Sequence, residues 1–340
     1  MTLVLSIVAG FTFAISWLSV GLIRQHWQHQ LLDIPNERSS HTQPTPRGGG
    51  LGFIIAFAIA FWVVQSVAPN LAAGIAPLLW LTLIPLVAIG ILDDWRGLSS
   101  GLRYLIQLSV AVAVVYNCGP FPVPGLDQLG APGLWIALGL TVMGLTALIN
   151  FYNFMDGLDG LVAGVSAVQL SFLALWCHQP MLWLWVAALM GFLYWNWSPA
   201  KIFMGDAGST TLGAIVGISL LSQPQPDLGS AWTTLAILLP LVGDAIYTIC
   251  CRLLRGENIF KAHRSHLYQR LHQAGWPHAQ VAGLYLSLTL AIALGVAQFG
   301  LAAAWVSLGG IPLAIALTEI HLANFSQLAA HKPPRLVNED

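Results

Sequence analysis

Fourteen Asp and Glu residues are few for a chain of 340, and several of them gather with other polar side chains into short groups. Asp93 and Asp94 close an apolar stretch in I-L-D-D-W-R-G-L-S-S-G-L-R. Adjacent carboxylates at one end of a helix repel unless a cation lies near, and Arg96, Arg103 or a divalent metal would supply it. Asn150, Asn153, Asp156 and Asp159 recur every third residue in I-N-F-Y-N-F-M-D-G-L-D-G-L. On an unbroken helix they would lie along one side. Gly157 and Gly160 favour a break instead, with amide and carboxylate oxygens converging on one ligand, and such oxygens suit a hard cation such as Mg2+. Asn196, Lys201 and Asp206 follow in N-W-S-P-A-K-I-F-M-G-D-A-G-S, where Asp206 opens another apolar stretch. Each group also has a plainer explanation: a polar helix end, an Asx and Gly turn, an N-cap.

Three further groups extend the pattern. Asp33 to Gly52 combines prolines, Arg38, His41, Arg47 and a Gly triplet. Backbone N–H groups of a Gly-rich turn approach an anion closely, and Arg adds bidentate phosphate binding, although a surface loop beside a closely packed helix would have the same composition. K-A-H-R-S-H-L-Y-Q-R-L places His263 and His266 beside Arg264 and Arg270, suited to a phosphate or a metal-bound group. Asp244 stands alone inside an apolar segment, where a carboxylate is costly and is functional or paired.

The elements that must carry these groups are apolar helices. The chain is 56% hydrophobic and 8% charged, with mean hydropathy +0.73, whereas a soluble domain carries about 25% charged residues. A bilayer core needs roughly 20 apolar residues per helix, and backbone polar groups in lipid must be satisfied within the element. About eleven stretches qualify: 3–23, 49–68, 71–92, 102–117, 133–150, 159–177, 181–197, 207–222, 230–251, 279–298 and 300–322. All 13 Lys and Arg residues fall in alternate connections, from Arg24 through Lys332 and Arg335, together with the acidic groups. Among acidic residues, the opposite connections hold only Asp127 and Asp227. The positive-inside rule then predicts an all-α, polytopic membrane protein with its N-terminus outside and its C-terminus and polar groups cytoplasmic. The stretch 3–23 lacks a basic n-region and reads as a retained helix. One membrane domain over 1–340 is expected, with a cytoplasmic loop at 252–278 carrying a short amphipathic helix. Cys118, Cys177, Cys250 and Cys251 have no ligand spacing and read as small buried hydrophobes. A net charge of -1 carries no electrostatic signature of nucleic acid, and no nucleic-acid partner is expected.

Taken in order, all of these groups but Asp244 resemble the polyprenyl-phosphate N-acetylhexosamine-1-phosphate transferases, glycosyltransferase family 4. The motifs are D-x-P-N-x-R-S-S-H-x-x-P-T-P-R-G-G-G, the Asp pair, N-x-x-N-x-x-D-G-x-D-G-L, N-x-x-P-A-K-x-F-M-G-D-x-G-S and a late His motif, spanning roughly Asp33 to Leu271. The resemblance implies transfer of a sugar 1-phosphate from a UDP-N-acetyl sugar to undecaprenyl phosphate in the bacterial cytoplasmic (inner) membrane, releasing UMP, with Mg2+ or Mn2+ as cofactor. It implies that Asp206 is a metal ligand joined by Asp93, and that Asp93, a base or an organiser of the lipid phosphate, has Asp94 as its partner. Asp156, Asp159, His263 and His266 become catalytic-site residues. Arg38, His41, Arg47, Arg103, Asn150, Asn153, Asn196, Lys201 and Arg264 become substrate contacts. Arg103 falls where peptidoglycan-type members carry Lys.

Two departures bear on the sugar. Gly97 replaces the Lys of a D-D-x-x-K pattern, and H-R-S-H replaces H-x-H-H. Both favour the branch that initiates O-antigen and similar surface polysaccharides, including 6-deoxy hexosamines, over the phospho-muramoyl-pentapeptide transferases. A homodimer is a further expectation. Competing readings are a secondary transporter, which Asp244 would suit, and a prenyltransferase, whose D-x-x-x-D spacing is absent here.

Overall fold

The computed structural model describes residues 2–28, 30–35, 40–71, 76–222, 228–259, 261 and 263–330. Arg38, Asp227, Lys332 and Arg335 lie outside them. The described chain is helical apart from a two-residue antiparallel ladder, β1 (Leu32–Asp33) with β2 (Thr45–Pro46), in which Asp33 pairs with Thr45. The helices are α1 (Thr2–Trp27), α2 (Gly50–Val67), α3 (Ala76–Arg96), α4 (Ser100–Cys118), α5 (Ala131–Met155), α6 (Leu161–Trp176), α7 (Leu182–Asn196), α8 (Asp206–Leu221), α9 (Leu228–Leu235), α10 (Leu239–Leu254), α11 (Leu267–Gln273), α12 (His278–Phe299) and α13 (Leu301–Ala330).

Among the described residues, eight stretches are long and apolar enough to cross a membrane, with Gly229–Leu254 (α9 and α10) counting as one. Three shorter apolar helices, α6, α7 and α8, complete the eleven stretches expected. The short ones are interior. Every residue of α8 from Ala207 to Leu220 is buried, and at 16 residues it is about 24 Å long. Surrounded by protein, it need not match the full apolar thickness. The outer helices instead expose large apolar side chains such as Leu3, Phe11, Trp62, Trp135 and Leu313, as a lipid-facing surface requires. Pro85 in α3 and Pro312 in α13 are tolerated in such helices.

Without a hydrophobic drive between helices in lipid, small residues and interhelical hydrogen bonds do the packing. Ser16 Oγ donates to Ala188 O at 2.6 Å, joining α1 to α7, and Ser19 Oγ donates to Gly52 O at 3.0 Å, joining α1 to α2. Phe57 stacks on Trp185 at 3.9 Å between α2 and α7. The span α9–α10 is broken at the 3-10 turn Ala236–Leu238, ahead of Pro240. The carbonyl of Ile237 there is taken by Gln169 Nε2 of α6 at 3.1 Å, so the break leaves that acceptor satisfied.

Helix backbones approach closely where α8 begins. A Cβ on Gly50 would lie 2.5 Å from Gly208 Cα, and one on Gly90 2.4 Å from Ala207 Cα. These contacts draw α2 and α3 against the first turn of α8 and bring the end of α3, with Asp93 and Asp94, beside Asp206.

Candidate active site

Asp206 is the first residue of α8, entered through Gly205 at φ +78. A side chain at Gly205 would be strained there, and its Cβ would also lie 2.6 Å from Asp94 Oδ2. Asp94 accepts the backbone N–H of Asp206 through Oδ1 at 3.3 Å, and Asp93 accepts that of Leu98 at 2.6 Å. Arg103 Nη1 lies 2.7 Å from Asp93 Oδ2 and 3.0 Å from Asp206 Oδ2. Two carboxylate oxygens from α3 and α8 therefore converge on a single positive point. Arg47 joins from the first connection, 2.9 Å from Asp33 Oδ2 and 3.8 Å from Asp94 Oδ1. The segment carrying it is tied to the loop before α8 by Phe203 N–H to Pro46 O, Gly49 N–H to Phe203 O and Gly50 N–H to Met204 O, at 2.8, 2.9 and 2.9 Å.

The break at 156–160 supplies the facing wall. Asn196, buried at the end of α7, accepts Gly160 N–H at 3.0 Å and donates to Ile202 O at 2.9 Å. It thereby fixes the break against the loop 197–205. Asp159 accepts Ala200 N–H at 3.0 Å and pairs with His278 Nδ1 at 3.1 Å. Burial alone would raise the Asp159 carboxyl, but the hydrogen bond and charge of His278 and the Ala200 N–H outweigh it and hold the group below its ordinary value. Asp156 has no such cation. Burial pushes it up to about 8, and Asp206 and Asp94 add to the shift against Arg47.

A cavity of about 260 Å³ lies between these walls. Asp33, Asp156, Asp159 and Asp206 line it with one guanidinium, Arg47, and with His41 and His278, so the wall is rich in carboxylate oxygens. This fits a divalent cation. No three His, Cys, Asp or Glu side chains close round one point among the described residues. Mg2+ usually takes only one or two carboxylates and completes its shell with water and substrate phosphates, and the pair converging on Arg103 Nη1 is such a donor set.

The remaining expected residues divide between this cavity and other places. Asn153 donates to Ser209 Oγ at 3.0 Å beside Asp206. Asn150, a turn earlier on α5, donates to Gln107 Oε1 and Thr146 O and binds α5 to α4. His41 lines the cavity, with Nε2 3.3 Å from Asp33 O and its ring 4.8 Å from that of Phe203. Lys201 is exposed and lies over the rings of Tyr194 and Trp195 at 5.7 and 5.5 Å. His263, His266 and Arg264 are not among the cavity-lining residues. His263 Nδ1 is 2.8 Å from Ser265 Oγ. Burial, and then repulsion from His266 and Arg252, lower it to about 4, so with the cavity empty it is uncharged near neutral pH. His266 is buried against Asp244, Nδ1 to Oδ1 3.4 Å. Of the late loop it is Gln269 that reaches the cavity.

Asp244 is paired. At 2% exposure it accepts the N–H groups of Leu267 and Tyr268 at 2.9 and 3.1 Å, capping α11 from another helix, and the hydroxyls of Thr248 and Tyr285 at 3.0 and 2.6 Å. Tyr268 donates in turn to Phe154 O at 3.0 Å, at the end of α5. The expected amphipathic helix of the loop is thus α11, with Leu267, Tyr268 and Leu271 inward.

Four polar cavity residues were not singled out from the sequence: Asp33, Ser40, Gln269 and His278. Asp33 opens the first motif and was open to notice as one more carboxylate there. His278 follows W-P at the start of an apolar stretch, where an N-terminal polar residue is unremarkable.

Residues 76–223 match the profile described as glycosyl transferase family 4. The chain is 34% identical over 269 residues, 73% of its length and 71% of the relative's, to a protein of Bacillus subtilis named as a probable undecaprenyl-phosphate N-acetylglucosaminyl 1-phosphate transferase. It is 31% identical over 293 residues, 78% and 74% of the two chains, to an undecaprenyl-phosphate alpha-N-acetylglucosaminyl 1-phosphate transferase of Escherichia coli K12. A decaprenyl-phosphate N-acetylglucosaminephosphotransferase of Mycolicibacterium smegmatis is 29% identical over 336 residues, 85% and 78%.

Proposed function

We propose, for a chain that belongs to glycosyl transferase family 4, that the cavity holds a UDP-N-acetylhexosamine whose sugar 1-phosphate passes to undecaprenyl phosphate, with release of UMP. The coarser activity, transfer of a sugar 1-phosphate to a polyprenyl phosphate, follows from the family and its named relatives. The observation that carries the finer reading is the meeting of Asp93 and Asp206 with Arg103, and of Asp94 with Arg47, beside a polar cavity that Asp206 and Arg47 line, at the ends of membrane helices. Such a site suits a soluble nucleotide meeting a lipid-borne acceptor.

Phosphoryl transfer between two anions depends on positioning and charge neutralisation. Mg2+ is the cation we assign, held by Asp206 and Asp93; when bound it neutralises the donor diphosphate and the departing nucleotide. Arg47 and Arg103 offer guanidinium donors to phosphate oxygens. The ionised Asp159 and the Asn196 amide fix the facing wall. Near neutral pH the acceptor phosphate is already ionised, so correct placement of charge matters more than a base. The one-sided distribution of Lys and Arg supports a cytoplasmic site in the bacterial inner membrane.

The test is product analysis with purified protein, undecaprenyl phosphate, Mg2+ and a donor panel: UDP-N-acetylglucosamine, its 6-deoxy analogues and the muramoyl-pentapeptide nucleotide. UMP together with a lipid diphospho-sugar from a simple hexosamine donor is expected, as for an enzyme that starts an O-antigen-like polymer. Turnover of the pentapeptide nucleotide alone would overturn the choice of donor. Absence of UMP from every donor would overturn the reading and favour a transporter.

A further inference from the structure

We propose that His278 is a positioning residue of the donor site, its two ring nitrogens setting two separate walls of the cavity. The proposal rests on the activity inferred above. His278 opens α12 behind Pro277, whose extended backbone turns the chain into the helix. Its side chain is 12% exposed and lines the cavity. Nδ1 lies 3.1 Å from Asp159 Oδ1, and Nε2 lies 3.0 Å from the backbone carbonyl of Ser40. A carboxylate oxygen and a carbonyl oxygen are both acceptors, so a ring that donates to both at once is an imidazolium; the neutral ring keeps the Ser40 bond and takes the backbone N–H of Asp159 at Nδ1, 3.5 Å away.

A second imidazole supports the same point. His272 Nε2 stands 3.2 Å from the Ser40 carbonyl, with Nδ1 2.9 Å from Trp276 O, and the two rings meet edge-on at 4.4 Å. The Ser40 carbonyl therefore faces both rings. Through Asp159, which also takes Ala200 N–H, the break at 156–160 and the loop 197–205 are tied to the start of α12. Through Ser40 the first connection is tied to the same place. Four chain segments from distant parts of the sequence meet at this one imidazole. His263 and His266, the histidines of the late motif, have no comparable place on the cavity.

The two bonds serve different ends. The bond to Asp159 aims a carboxylate on the wall that it shares with Asp156, facing the Asp206 wall, so it bears on the reacting geometry. The bond to Ser40 sets the position of the cavity wall formed by Asp33, Ser40 and His41, so it bears on how the nucleotide sugar is held.

Two conservative variants separate them. His278→Asn places an amide N–H near the Nδ1 position and retains the Asp159 bond. His278→Gln places one near the Nε2 position and retains the Ser40 bond. Steady-state UMP release is measured for wild type, both variants and His278→Ala, varying donor and polyprenyl phosphate separately, with melting temperatures alongside. His278→Asn is expected to raise the donor KM with kcat largely retained. His278→Gln is expected to keep the donor KM and lose kcat by roughly ten-fold or more, in line with the cost of a misplaced catalytic group. The KM for polyprenyl phosphate stays near wild type in both. Equal loss of all three parameters in Asn and Gln variants, in step with melting temperature, would reduce His278 to a packing residue and overturn the proposal. So would wild-type kinetics in His278→Ala. If His278→Ala fails to fold, the comparison of Asn with Gln still decides. A wild-type protein that releases no UMP removes the functional reading itself, a result separate from any variant behaviour.

Discussion

Replacing Asp244 by Leu removes one acceptor for two backbone N–H groups and two hydroxyls, all in the interior. Thr248 can turn its hydroxyl back to its own helix. The N–H groups of Leu267 and Tyr268 and the Tyr285 hydroxyl have no such recourse, and each orphaned buried donor costs about 1–3 kcal/mol. Removing the buried carboxylate also removes its own desolvation cost, which offsets part of this. The net loss expected for breaking one side of a buried charged network is about 3–5 kcal/mol. Total stabilities are only about 5–15 kcal/mol. Asp244→Asn keeps an acceptor oxygen and should lose about half as much, and Tyr285→Phe, which deletes one donor and orphans none, about 1 kcal/mol. Thermal unfolding of the purified variants in one detergent reads these as a graded series. At roughly 2 °C per kcal/mol for a chain of this size, Asp244→Leu should melt on the order of 5–10 °C lower. Activity should fall with it, since α11 carries Gln269 to the cavity and Tyr268 to the end of α5. A melting temperature for Asp244→Leu indistinguishable from wild type would refute the capping network.

The other predictions concern the cavity. Asp156 has a folded value of about 8 against 3.8 for the free side chain. A carboxyl raised on folding favours the folded state while protonated, so the cation-free protein should lose stability as pH rises through that interval. Asp156→Asn should flatten this slope in EDTA, the two melting curves diverging as pH rises from about 4 to about 8, with wild type losing more, and running parallel above that; parallel curves from pH 5 to 8 contradict it. Gly90→Ala forces a methyl into Ala207, and overpacking of this kind costs about 1–3 kcal/mol, with α3 displaced from α8. UMP release should drop more than melting temperature does, and retention of full turnover would deny that the close approach sets the carboxylate cluster. His263→Ala should leave turnover near neutral pH within about two-fold, as for a substitution clear of substrate; a loss of a hundred-fold would return His263 to the chemistry.

The helices were legible because a bilayer imposes one length and one composition on each, and the connections showed as polar interruptions. The stretch from Asn196 to Asp206 is one such interruption, and it forms the loop 197–205 between α7 and α8. The least legible boundaries lie where protein replaces lipid or water. The Ala236–Leu238 turn inside an apolar run depends on a side chain from α6 to satisfy its carbonyl, and α13 continues past 322 to Ala330, with Glu319 answered by Arg270. At the site, the carboxylates announced themselves by crowding, but their convergence depends on glycine contacts such as Gly90 with Ala207 that no spacing reveals. His263 and His266 were conspicuous in sequence because they are close together, yet one is capped by its neighbour and the other serves Asp244. His278 was inconspicuous because its partners, Asp159 and Ser40, are 119 and 238 residues away.

The central claim is that Asp206, with Asp93, holds the cation that meets the donor diphosphate. Its most direct measurement is the Mg2+ dependence of UMP release by wild type and Asp206→Asn, at saturating donor and polyprenyl phosphate, with melting temperature as the control for folding. Asp206→Asn should fold and melt near wild type while its turnover falls by roughly a hundred-fold or more at every Mg2+ concentration, the order of loss seen when one group that stabilises transferring charge is removed. Near-wild-type turnover by Asp206→Asn at saturating Mg2+ would contradict the claim.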